Sequence, residues 1–81
     1  MPLADHEAMN HALLYRVVVS PHGGGYVARS PDVPGAIAFA SDAEECVHAL
    51  RRTLNELVER ASRVGEAAPP ASDGAVSFEP A

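Results

Sequence analysis

Four carboxylates lie close together in the chain, Asp32 in a proline-rich turn and Asp42, Glu44 and Glu45 at a helix start. Carboxylates converging on one point could hold two metal ions for phosphodiester cleavage, with ligands usually supplied from strand ends. Here none of the expected strands carries an inward acidic residue, and Glu79 only ends the last one. Acidic residues at a helix start are accounted for by capping and by the positive end of the helix dipole. The four histidines, His6, His11, His22 and His48, have no second histidine or cysteine at i,i+3 or i,i+4, and Cys46 is the single cysteine. That pattern does not make a zinc site. No Gly-x-Ser-x-Gly elbow is present. The Gly23–Gly25 run is followed by neither a helix start nor a Lys-Ser/Thr pair, so it reads as a turn and not as a phosphate loop. The expectation is a protein without catalytic, metal or cofactor residues.

The elements around these residues are short and closely spaced. LLYRVVVS, Leu13 to Ser20, is β-branched and apolar, and alternation places Tyr15, Val17 and Val19 on one face and Leu14, Arg16 and Val18 on the other. The glycine run allows a hairpin, and GYVARS, Gly25 to Ser30, returns. Pro34-Gly35 has the form of a type II turn before a third strand, Ala36 to Ala40, with Ile37 and Phe39 on one face and alanines on the other. Ser41-Asp42-Ala43-Glu44 reads as a capping box. The helix it opens extends to about Val64, with Gly65 as its stop. Its apolar stripe is Ala43, Val47, Leu50, Leu54, Leu57, Ala61 and Val64, widened by Cys46 and Val58. A stripe of about three heptads suits packing on the protein's own sheet better than a coiled coil. After a proline-containing connector, Ala75 to Glu79 alternates as a fourth strand. The expected fold is α+β, β-β-β-α-β, an antiparallel sheet of three or four strands with one long helix on one face. Residues 1–12 are expected to be a flexible extension of a domain spanning 13–81.

With 81 residues there is room for one domain and a modest core. A lone cysteine permits no intrachain disulfide, and it suits a reducing, cytoplasmic setting. Eleven acidic residues oppose six arginines, giving a net charge of −5. The arginines form no basic stripe, which argues against direct DNA or RNA binding. An acidic surface is instead suited to a basic protein partner. The polar start MPLADHEAMNHA lacks a signal-peptide pattern, and no segment approaches the ~20 apolar residues of a membrane span.

Tyr15-Arg16-Val17-Val18-Val19, Gly24-Gly25-Tyr26-Val27-Ala28, Pro31-Asp32-Val33-Pro34-Gly35 and Ser41-Asp42-Ala43-Glu44-Glu45 together resemble the HicB antitoxin family, over roughly Leu14 to Ser72. Ala36 stands where members often carry cysteine, and Phe39-Ala40-Ser41 where Thr or Gly commonly precedes the helix. Many members continue into a DNA-binding domain, for which a chain ending at Ala81 has no room, so operator binding is not expected. The resemblance implies a partial RNase H-like fold and neutralisation of a small basic RNA-cleaving toxin of the HicA type. The alternative is an orphan HicB-like self-associating module of unknown partner, without toxin or DNA binding.

Two surfaces are singled out. Tyr26, Asp32, Pro34 and Gly35 form the candidate partner contact, because loops on a rigid scaffold carry recognition. Tyr15, Val17 and Val19 form the candidate self-association face of a homodimer or higher oligomer, because one helix does not cover both faces of so apolar a sheet.

Overall fold

The structure, a computed structural model, describes residues 11–80. Strands β1 (Val17–His22), β2 (Gly25–Ser30) and β3 (Val33–Ala40) precede helix α1 (Ala43–Val64) and strand β4 (Val76–Phe78). This is the expected β-β-β-α-β layout, with the helix on one face of a four-stranded sheet ordered β3-β2-β1-β4. The first three strands are an antiparallel meander, whereas β4 runs parallel to β1, so the sheet is mixed. The direction follows from the helix: α1 carries the chain back along the sheet, and the next strand must run the same way as β1 and β3.

Several boundaries differ from the sequence reading. β1 begins at Val17 because residues 11–13 are helical, closed by Leu14 N–H to His11 O (3.1 Å) and Tyr15 N–H to Ala12 O (3.4 Å). Residues 1–10 of the expected extension lie outside the described residues, but Ala12 belongs to the core. β3 reaches back through Pro34-Gly35, which is an irregularity within the strand: Arg29 opposes Ile37, yet its neighbour Ser30 opposes Val33. The chain reversal itself falls on residues 31–32. Three residues of β3 are thereby accommodated against one step of β2, and Gly35 takes up the positive φ of 92°.

Asp42, not Ser41, caps α1. Its carboxylate accepts from Glu44 N–H at 2.9 Å, with Glu44 and Glu45 in the first turn. Gly65 ends the helix in the left-handed region, with Glu66 N–H bonded to Ala61 O and Gly65 N–H to Ser62 O, the paired closure of a Schellman motif.

The core lies between α1 and the face of Tyr15, Val17, Val19, Ala28 and Ala36, met from the helix by Cys46, Leu50, Leu54 and Val58. The buried stripe is therefore narrower than the apolar one. Leu57 and Val64 are exposed, because a 22-residue helix spans about 33 Å and its last turns extend past strands of six to eight residues.

Candidate functional site

The helix decides which sheet surface is available. Tyr15, Val17 and Val19, expected on a self-association face, are at most 1% exposed and lie beneath α1. That assignment is corrected: alternation separated the two faces properly, but the helix covers this one. The open face is read across the register as Val18, Arg29 and Ile37 in one row and Ser20, Val27 and Phe39 in the next. Ile37 is 51% exposed and Phe39 59%. The His22 ring lies 5.3 Å from that of Phe39 and continues the patch to the hairpin end. On this face Arg29 Nη2 pairs with Glu79 Oε1 at 2.7 Å.

The candidate contact residues do not converge. Pro34 and Gly35 are exposed on the irregular part of β3. Tyr26 stands opposite Ala40, four residues along β2 from Ser30, about 13 Å away at strand spacing, and is half-buried against the core. Asp32 is committed internally. Its Oδ2 accepts from Arg16 N–H (2.8 Å) and Ser72 Oγ–H (2.8 Å), and its Oδ1 from the Arg16 guanidinium (3.1 and 3.3 Å). The Arg16 backbone N–H, reinforced by the Ser72 hydroxyl and the Arg16 charge, holds this carboxyl below its ordinary pKa. With its side chain 9% exposed, Asp32 ties the β2–β3 turn to β1 and the connector.

A second polar cluster holds the connector 66–75 against the start of the domain. Arg51 Nη1 donates to the carbonyls of Ala12 (3.1 Å), Leu13 (3.1 Å) and Tyr15 (2.7 Å), and Nη2 to that of Gly74 (3.1 Å). Burial lowers the Arg51 pKa without removing its charge. Tyr15 Oη donates to Pro69 O at 2.6 Å, and His11 Nε2 lies 3.0 Å from both atoms. Burial first, then the Asp32 charge, raises the Tyr15 pKa. Leu14 O accepts from both Ser72 N–H and Gly74 N–H, after which Ala75 O receives Val17 N–H and β4 begins. The sequence reading placed Arg51 among scattered helix arginines. Nothing in its spacing distinguishes it from Arg52, and only the fold brings four carbonyls to its tip.

Cys46 is fully buried, its Sγ 3.4 Å from Ala38 O, and desolvation raises its pKa against the opposing Ala40 backbone hydrogen bond. It packs as a small apolar group. Among the described residues no three His, Cys, Asp or Glu side chains gather into a metal-holding group, and no helix is long and apolar enough to cross a membrane.

The outer edge of β3 is the remaining feature. Between this edge and α1 lies a hollow of about 380 Å³, lined by Phe39, Ala40, Glu45, His48, Ala49 and Arg52. Glu45, His48 and Arg52 are exposed, so an apolar edge is bordered by charge of both signs. The chain matched no family model, no curated protein and no solved structure.

Proposed function

We propose that this protein is a non-catalytic binding protein of the HicB antitoxin kind, which neutralises a small basic RNA-cleaving toxin by covering it. The observation that carries the reading is the open sheet face: Ile37 and Phe39, half or more exposed, on a chain of net charge −5 whose acidic first helical turn follows directly on β3. Apolar centres with polar rims are the usual anatomy of protein interfaces, and acidic surroundings select a basic partner and speed its encounter. Of the four motif segments, the first enters β1 only at Val17, the glycine segment forms the hairpin and β2, the reversal falls on Pro31-Asp32 with Pro34-Gly35 inside β3, and Asp42 caps α1. On this reading Ile37 and Phe39 replace Tyr26 and Asp32 as the principal contacts, with Pro34 and Gly35 at the margin.

A tagged pull-down from native cells tests the proposal. The expected result is a small basic protein at fixed stoichiometry, toxic when expressed alone and harmless when co-expressed with this chain. Ile37→Ser and Phe39→Ser should each weaken that complex by at least ~10-fold, the size of a moderate interface contact. Recovery of the bait alone, as an oligomer, would replace the antitoxin reading with the orphan self-associating module.

A further inference from the structure

We infer that the helix-side face of β4 is a docking surface for a basic amphipathic helix of a partner protein, which lies beside α1 on the same side of the sheet. This goes beyond the toxin contact proposed above, which is on the opposite face, and does not depend on it.

β4 is the strand that α1 leaves uncovered. In the parallel ladder Val76 is abreast of Val17 and Phe78 of Val19, and residues abreast project to the same face. Val17 and Val19 are fully buried beneath α1, so Val76 and Phe78 point to the helix side as well. Yet Val76 is 40% exposed and Phe78 65%, because no Cα of α1 comes within 8 Å of one in β4. The reason is width. The outer strands of a four-stranded sheet lie about 14 Å apart, and one helix with its side chains is about 10 Å across. Packed helices sit about 8–10 Å from each other, so a second helix alongside α1 falls over β4.

The surroundings state what kind of helix fits. The flank of α1 bordering this face is Glu44, Val47 and Arg51, spaced i, i+3 and i+7. Arg51 fixes its direction by reaching Tyr15 O ahead of β1 and Gly74 O ahead of β4, at 2.7 and 3.1 Å. α1 starts at the end of the sheet where β3 and β4 both finish, so Glu44 and Val47 lie toward Phe78. Asp73 precedes the strand at the other end. Glu44 and Asp73 are exposed, and among the described residues neither makes an ion pair. The Arg51 guanidinium adds no free cation, because it is engaged by four carbonyls. The surface is thus an apolar strip with a carboxylate toward each end. A helix with apolar residues at i and i+4 sets them about 6 Å apart, close to the roughly 6.6 Å from Val76 to Phe78 along the strand. Lys or Arg flanking those anchors meets the two carboxylates. A second copy of this chain, at −5, would bring more negative charge to them instead.

The test is a titration of the isotope-labelled full chain with a synthetic Leu/Lys amphipathic helix of about 18 residues, stapled to hold it helical and followed through amide chemical shifts. Shifts are expected at Glu44, Val47, Val76 and Phe78. The same peptide with Glu for Lys should bind at least ~10-fold more weakly. Phe78→Ser should weaken binding by at least ~10-fold, with its urea melt and sedimentation unchanged. Val64→Ser, which alters a similarly exposed apolar residue at the far end of α1, should bind as wild type does. A destabilised Phe78→Ser chain would mean that this residue is covered within its own chain, and a changed oligomeric state that a second copy covers it. Either result overturns the proposal, as does equal binding of the Glu peptide or a set of shifts confined to Ile37 and Phe39. The toxin enters none of these readouts, so their failure leaves the antitoxin reading standing, and recovery of the bait alone leaves this one standing.

Discussion

Arg51 and Asp32 are the two residues whose surroundings say most about how this small domain holds its crossover. Arg51 satisfies four carbonyls at once, and its fork of donors is what makes that possible. Arg51→Met keeps the apolar stem but strands those acceptors, with an expected cost of about 2–3 kcal/mol, typical of hydrogen bonds to a charged group. Arg51→Lys should recover only part of this in chemical denaturation, because an ammonium cannot span all four. Asp32 makes a prediction about pH. Its carboxyl is held below its unfolded value, so its stabilisation is complete above the unfolded pKa of about 4 and is lost as pH falls through the lower folded value. Asp32→Asn should therefore be less stable than wild type at pH 7 and show a flatter acid limb in a series of urea melts from pH 7 to about 2. A parallel displacement of the two curves would show that the carboxylate charge is not the stabilising feature.

Among the elements, β4 depends most on its neighbours, since it is three residues long and its side chains are exposed. Its position is set upstream, where Gly74 turns with φ 70° against the helical turn at residues 11–13. A Cβ at Gly74 would lie 2.5 Å from Leu13 O, so substitution meets backbone as well as an unfavourable φ. Gly74→Ala should cost about 1–3 kcal/mol and speed amide exchange of Val17 and Glu79, the N–H groups that bond across this junction. Exchange in α1 should change less, and a uniform increase would mean that β4 unfolds only with the whole domain. Part of this level was legible beforehand. Gly65, the hairpin glycines and the Asp-Ala-Glu-Glu start signal their roles locally, because caps and turns are decided within a few residues. The shift of the cap from Ser41 to Asp42, and the continuation of β3 through Pro34-Gly35, depended on how far β2 pairs with β3, which no local pattern states.

The described residues form a single layer of sheet under one long helix, and the core is correspondingly thin. A domain of 81 residues has roughly 4–12 kcal/mol of stability at usual per-residue values. Leu54 is fully buried at its centre, and Leu54→Ala should remove about 2–5 kcal/mol, enough to leave a measurable unfolded fraction at 37 °C in a thermal melt. Phe39→Ser, on the open side, should stay within about 0.5 kcal/mol of wild type in a urea melt. On the proposed binding reading, what Leu54→Ala loses in folding, Phe39→Ser should lose in association.

The amino-acid sequence by itself determined the elements and their order. β-Branched alternation, glycine turns and a helical apolar stripe are properties of neighbouring residues, and they yielded the β-β-β-α-β layout with the helix on one face. It also determined that each strand has two distinct faces. Which face the helix would cover was decided only by packing. In β3 the alanine side admits the helix closely, while Ile37 and Phe39 face outward, the reverse of assigning the largest apolar residues to the core. Tyr15, Val17 and Val19 went inward with those alanines because the strands share one register, so a single choice of side settles every residue in the sheet. That choice rests on the joint fit of α1 to three strands at once, a contact between segments distant in the chain, and it is what leaves Ile37 and Phe39 exposed.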